Sequence, residues 1–127
     1  MVVTNPDTLR GLAKAAGGEG FIAEAPVCVV VLCRETEYYL ENGCAATQNI
    51  LLAAHACGLG SCWVAGAKKA YAVDICKMVG APPDCKLISL VSVGYPEERP
   101  IKIKRPLSDV LHWEKYGSEG SSRSGRC

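Results

Sequence analysis

A nearly uncharged stretch in the middle of the chain constrains the fold more than any other feature. Gly43 to Gly66 reads GCAATQNILLAAHACGLGSCWVAG and holds no Asp, Glu, Lys or Arg, although 21% of the 127 residues are charged. Apolar and small residues from Cys44 to Cys57 cover nearly every direction around a helix, and such a helix is buried on all sides. At about 14 residues, or roughly 21 Å, it is too short to cross a bilayer. The stretch therefore predicts either the central helix of the domain or one half of a subunit interface.

The end of this stretch is a first candidate site. Gly58 and Gly60 stop the helix, and a short strand, Ser61 to Ala65, follows. Glycines before Trp63 let backbone approach a ligand, and the small residues after it leave backbone amides unshielded. That arrangement suits a planar cofactor that accepts hydrogen bonds. The alternative is a helix cap followed by a core strand, and the spacing by itself favours this alternative.

The rest of the chain predicts one α+β domain with a single main sheet, in the order β-α-β-α-β-α-β-coil. Strands are expected at 1–4, 27–33, 61–65 and 87–94, and helices at 6–16, 43–57 and 70–79. Residues 19–25 read as a loop or short turn, and 107–113 as a last short helix or turn. We expect the domain to cover residues 1–115, and 116–127 to form a flexible tail rich in Gly and Ser.

Charge and cysteine content argue against several classes of function. A formal net charge of +1 gives no electrostatic support for nucleic-acid binding and favours self-association. The sequence shows no signal peptide and no apolar run of membrane-spanning length, so a cytoplasmic location without membrane contact is expected. None of the eight cysteines shows C-x-x-C spacing, which predicts buried reduced thiols rather than metal ligands, with Cys127 the most reactive.

Basic and imidazole side chains offer two further candidates. Lys102, Lys104 and Arg105 lie close together after a proline and could hold a phosphate, or they could form a solvated basic turn. His55 and His112 are interpreted as core or interface histidines.

The sequence contains no Ser-His-Asp arrangement, carboxylate pair, Walker loop or dinucleotide fingerprint. If the protein is an enzyme, we expect no catalytic side chain, because a cofactor would carry the reaction.

Three segments together resemble the FMN-dependent nitroreductase family: AATQNILLAAHACGLGSCWVAG, KLISLVSVGYPEERP and KRPLSDVLHWE. The resemblance covers about residues 1–115. It implies a nitroreductase-like α+β fold, with a central, mostly antiparallel sheet flanked by helices, in an intertwined homodimer whose core is helix 43–57. It also implies a flavoprotein oxidoreductase. Such enzymes pass hydride from NADH or NADPH through FMN to a nitroaromatic, a quinone or a similar acceptor.

The resemblance also implies which residues hold the cofactor. It places the backbone of Trp63, Val64, Ala65 and Gly66 against the flavin ring, with the amides of Ala65 and Gly66 at its N5 edge. It places Lys102 and Lys104 at the FMN phosphate, with Arg105 as a close substitute.

The chain departs from the family at its N-terminus. The family's Arg-Ser-x-Arg and Pro-Ser-x-x-Asn-x-Gln-Pro segments do not precede Met1, so we expect a member that lacks the family's N-terminal part. Two alternative functions therefore stay open. One is a truncated, non-catalytic dimeric binding or scaffold protein with weak or no flavin. The other is a thiol redox protein, which needs an accessible thiol of low pKa.

Overall fold

The computed structural model describes residues 1–98 and 103–118 and divides the chain into two compact units, Met1–Glu97 and Glu98–Cys127. The first unit holds eight helices and strands: β1 (Val2–Val3), α1 (Pro6–Ala15), α2 (Gly20–Glu24), β2 (Val27–Arg34), α3 (Tyr39–Ala56), β3 (Gly60–Ala65), α4 (Ala72–Met78) and β4 (Cys85–Gly94). The second unit contains a 3-10 turn at Leu107–Asp109. The order agrees with the sequence pattern, except that α2 replaces an expected loop.

The sheet has the strand order β1-β2-β4-β3, and all three pairings are antiparallel. This confirms the mostly antiparallel sheet that the family resemblance implied. The longest pairing, β2 with β4, sets Val29 opposite Val91 and contains a bulge between Val31 and Leu32. A bulge inserts one extra residue in one strand. Here it places Ile88 on the face that α3 covers and Leu87 on the opposite face.

Helices cover both faces of the sheet. On one face α1, α2 and α4 pack over the strands, and the buried side chains there include Leu9, Leu12, Ile22, Val30, Ile75 and Leu90. On the other face α3 packs over a smaller buried cluster of Val31, Ile88 and Val91. The continuous β-branched run of β2 follows from this arrangement, because a strand covered on both faces has no solvent side to mark with polar residues.

The central helix differs from the sequence prediction at both ends. α3 begins at Tyr39 rather than Gly43, so Asn42, a residue type that favours helix caps, lies inside the helix. Tyr39 and Leu40 pack against the cluster beneath α3, and this packing extends the helix upstream. It ends at Ala56, one residue before the expected end, and Gly58 follows with a positive φ of 75°.

The prediction that this helix is buried on all sides is wrong for a single chain. Only Gly43, Thr47 and Ala54 of α3 are buried, and the opposite face is exposed. The buried face is held tightly, since Thr47 Oγ1 donates to the Gly43 carbonyl at 2.7 Å and lies 2.8 Å from Ser89 Oγ on β4. The sheet therefore accounts for one side of the helix, and the outer side has no partner among the described residues of the first unit.

A local signal sets the start of α1. Asn5 caps α1 by accepting hydrogen bonds from the amides of Asp7 and Thr8 at 3.0 and 3.1 Å. β4 begins at Cys85, two residues before the expected start.

Within residues 1–98 and 103–118, no helix combines the length and the apolar character that a membrane crossing requires.

Candidate cofactor site at one edge of the sheet

β3 is an edge strand, and its outer side is the candidate site. It pairs with β4 on one side, and none of the strands in the described residues pairs with its other side. Trp63 lies opposite Val91, on the face that α3 covers, whereas Val64 lies opposite Leu90 on the other face and is buried. The segment 63–66 that the sequence singled out is therefore the end of an edge strand rather than a central one.

The hydrogen-bond pattern decides which amides of this segment are free. The Gly66 amide donates to the Ile88 carbonyl at 2.9 Å, and the Ala67 amide donates to the same oxygen at 3.0 Å. Residues of an antiparallel strand alternate between bonding their partner strand and facing away from it. Because Gly66 bonds toward β4, the amides of Ala65 and Trp63 point to the open edge. Of the two amides expected at a flavin ring, only that of Ala65 is unengaged by β4.

Gly66 is required by close packing rather than by an unusual backbone angle. A Cβ at this position would lie 2.6 Å from Leu87 Cγ and 3.0 Å from the Ile88 carbonyl oxygen. Both distances are too short for atoms in van der Waals contact, so only glycine lets the chain turn away from the sheet here. The chain then continues into a turn in which the Lys69 amide donates to the Gly66 carbonyl at 3.2 Å, with Lys68 at a positive φ of 62°.

Tyr71 borders the same edge, and no sequence signal pointed to it. Its hydroxyl donates to the Ala65 carbonyl, which faces the open edge together with the Ala65 amide. Burial is the larger cause that raises the pKa of Tyr71 above its ordinary value, and the nearby Glu19 carboxylate raises it further. The phenol therefore stays protonated and remains a donor at neutral pH. Its position follows from the turn between β3 and α4, which periodicity alone does not specify.

α3 contacts β3 as well as β2 and β4, and its side away from the sheet is exposed. Glu41 is exposed in the first turn of α3. From Ala45 to Ala56 the exposed residues other than His55 are small, apolar or uncharged polar: Ala45, Ala46, Gln48, Asn49, Leu52, Ala53 and Ala56. We call these seven residues the α3 outer face. His55 is exposed in the last turn of the helix, so the interpretation of it as a core histidine is wrong, whereas its interface role stays a prediction.

The predicted phosphate-binding cations belong to the second unit. Lys104 and Arg105 are exposed there, just before the 3-10 turn, and Lys102 lies outside the described residues. The tail 119–127, including Cys127, also lies outside them. The role of all three cations stays a prediction.

The thiols divide into buried and exposed groups. Burial raises the pKa of Cys28 from its ordinary value of 9.0 to about 11, and burial also raises the pKa of Cys33. Both thiols are therefore poor nucleophiles at neutral pH. Cys57 and Cys62 are exposed, contrary to the expectation of buried thiols, because α3 ends at Ala56 and the Cys62 end of β3 is uncovered.

Comparison with known proteins agrees with this architecture. The Nitroreductase family model matches residues 2–95. A protein from Methanothermobacter thermautotrophicus, provisionally named an NADH dehydrogenase/NAD(P)H nitroreductase, is 29% identical over 91% of this chain and 64% of its own length. An NADPH-flavin oxidoreductase from Vibrio harveyi is 24% identical over 90% of this chain and 55% of its own.

A solved structure shows the same fold. The FMN-dependent nitroreductase from Clostridium difficile superposes with a TM-score of 0.81 at 23% identity, covering 91% of this chain and 74% of that one. The chain spans about three-fifths of the length of the curated relatives it matches. The family model nevertheless covers most of the 127 residues, including every helix and strand of the first unit. The protein is therefore a member of the nitroreductase family.

Proposed function

We propose that this chain is the core of an FMN-dependent oxidoreductase of the nitroreductase type. Hydride from NADH or NADPH would pass through the flavin to a nitroaromatic, a quinone or a similar acceptor. The observation that carries the proposal is the open edge of β3, where the Ala65 amide faces away from β4. The names of the Vibrio harveyi and Clostridium difficile proteins, which specify flavin and FMN, support the choice of cofactor.

The residues at this edge fit a flat ring that accepts hydrogen bonds. The Ala65 amide is a donor that β4 does not use, and it faces the open edge of the strand. Tyr71 engages the Ala65 carbonyl, which leaves the amide as the free polar group of that residue. FMN, when bound, supplies the hydride-accepting chemistry that no side chain of this site provides. The backbone contributes a fixed donor where negative charge develops, and such donors are effective because they need no reorganisation.

The α3 outer face supplies the second half of the proposed site. An uncharged face of small residues is typical of a surface that packs against another helix, and the α3 outer face extends from Ala45 to Ala56. We propose that two copies of the chain meet along this face and that each β3 edge then lies beside the partner copy. Lys102, Lys104 and Arg105 would bind the phosphate, as the family resemblance implies.

A pair of proline substitutions tests the backbone donor. Ala65→Pro removes the outward amide without removing a hydrogen bond to β4, and proline is tolerated at such positions of edge strands. Ser61→Pro is the matched control, because Ser61 lies four residues away and its amide faces the same side. We expect FMN-supplemented wild type to oxidise NADH or NADPH with a quinone or nitroaromatic. Ala65→Pro should lower kcat/KM by about 100-fold, a typical cost of losing one such donor, and Ser61→Pro should change it little.

Two results would contradict the proposal. The first is equal activity in the two proline variants, which would remove the Ala65 amide from the reaction. The second is a stable dimer that neither binds FMN nor oxidises a nicotinamide, which would favour a dimeric binding or scaffold protein instead.

A further inference from the structure

A groove on the opposite face of the sheet from α3 is not part of the candidate flavin site. It has a volume of about 360 Å³ and lies between α4 and the start of β4. Most of its lining is apolar, including Val73, Pro82 and Leu87. Pockets for small ligands start at about 300 Å³ and combine apolar walls with a few polar groups. The groove therefore has the size and composition of a small-molecule site.

The walls of this groove are fixed by backbone hydrogen bonds. α4 stops at Gly80, which has a positive φ of 66°, and the Ala81 amide donates to the Cys76 carbonyl at 2.9 Å. The Cys85 amide donates to the Pro82 carbonyl at 2.9 Å. Two consecutive prolines, Pro82 and Pro83, restrict the loop further. A groove with such walls exists before a ligand arrives, so binding does not have to order the loop.

Both charged residues that line the groove are cations, Lys77 and Lys86. Lys86 Nζ lies 3.1 Å from Glu35 Oε2, a carboxylate that does not line the groove. Among the described residues Lys77 forms no ion pair, although Asp74 lies one helical turn before it. Asp84, next to the groove, is engaged by Arg34 at 3.4 Å. Lys86 lies opposite Cys33 in the strand register, on the face that α3 covers, so its side chain points away from the groove. Lys77 therefore supplies the positive charge that favours an anionic group at the groove.

We propose that this groove binds a small amphipathic carboxylate. Its apolar body lies against Val73, Pro82 and Leu87, and its carboxylate lies at Lys77. Apolar contact provides most of the affinity, because burying apolar surface contributes more free energy than an ion pair that stays partly exposed. Lys77 selects acids over neutral molecules of the same shape. The site is independent of the proposed flavin chemistry and does not require it.

A matched pair of probes tests the site in the full chain. Isotope-labelled protein is titrated with 4-phenylbutyrate and, separately, with uncharged 4-phenylbutan-1-ol, and backbone amide shifts are followed by NMR. We expect saturable shifts in α4 and in residues 85–87. The acid should bind about two- to fivefold tighter than the alcohol, as a partly exposed ion pair allows.

Substitutions separate the charge from the groove. Lys77→Gln should remove most of the preference for the acid while leaving alcohol binding unchanged. Lys14→Gln, the same exchange at an exposed position of α1, should leave both probes unaffected. The proposal is overturned if no saturable shifts appear, if they map away from the groove, or if acid and alcohol bind equally in the wild type.

Discussion

Two serines of β4 show how one substitution can have opposite consequences. Ser89 and Ser92 are both buried, but Ser89 Oγ bonds Thr47 Oγ1 at 2.8 Å, whereas Ser92 Oγ has no hydrogen-bond partner among the described residues. We expect Ser89→Ala to lower the free energy of unfolding by about 1–2 kcal/mol, because a buried bond is lost. Ser92→Ala should leave it unchanged or raise it, because an unpaired buried hydroxyl is removed.

Urea denaturation of the two variants measures this difference. The stabilising role of the Thr47 bond would be contradicted if Ser92→Ala cost as much as Ser89→Ala. The sequence shows only that both serines interrupt an apolar strand. It does not separate them, because the partner Thr47 lies 42 positions away from Ser89 in the chain.

The buried thiol of Cys28 makes stability depend on alkaline pH. Burial raises its pKa to about 11 in the folded chain, above the ordinary value of 9.0 that it takes when unfolded. Above pH 9 the unfolded chain releases this proton while the folded chain retains it, so folding stability falls between about pH 9 and pH 11. Below pH 9 this group contributes no pH dependence.

Cys28→Ala separates the contribution of Cys28 to this pH dependence from that of other groups that titrate at alkaline pH. The variant should be less stable throughout, and its stability should fall less steeply with pH above 9. A full proton difference corresponds to a slope of about 1.4 kcal/mol per pH unit. Urea midpoints at pH 8, 9, 10 and 11 provide the measurement, and parallel curves for both proteins would show that Cys28 is not the group responsible.

At the scale of elements, Gly43 sets the distance between α3 and the sheet. A Cβ at Gly43 would lie 2.4 Å from Ile88 Cγ1, so alanine forces the helix or the strand to move. We expect Gly43→Ala to destabilise the fold by about 1–2 kcal/mol, with overpacking larger than the gain in helix propensity.

Gly11→Ala in α1 is the matched control. Its Cβ would lie 3.2 Å from Met78 Sδ, the end of a flexible and partly exposed side chain that can move aside. This variant should be neutral or slightly stabilising in thermal denaturation. Similar changes in both variants would show that α3 is not held at this glycine.

The elements themselves were largely predictable, because periodicity and caps are local signals. Asn5 and the β-branched run of β2 specified their elements directly. The start of α3 was not predictable in this way. Asn42 has the composition of a cap, but Tyr39 and Leu40 gain burial against the sheet and extend the helix past it. Tertiary packing therefore decided this boundary.

At the scale of the whole molecule, the α3 outer face explains why the sequence indicated burial that one chain does not provide. The segment 43–66 contains no charged residue, and this pattern indicates burial on all sides. In the structure, however, the sheet covers only one side of the helix. The candidate site was likewise only partly predictable from the sequence. The segment 63–66 could be located from its glycines and small residues, but the orientation of each amide depends on the register with β4. The proposed enzyme therefore requires a second copy that covers the α3 outer face.

Sedimentation velocity of the FMN-supplemented protein, followed in the flavin absorption band, tests this central claim most directly. We expect flavin to sediment with a dimer at one FMN per chain. Leu52→Glu, which places a charge on the α3 outer face, should give a colourless monomer. Met78→Glu, at another exposed apolar position, on α4, should keep both dimer and flavin. Flavin that sediments with a monomer, or a Leu52→Glu variant that remains a yellow dimer, would contradict the account.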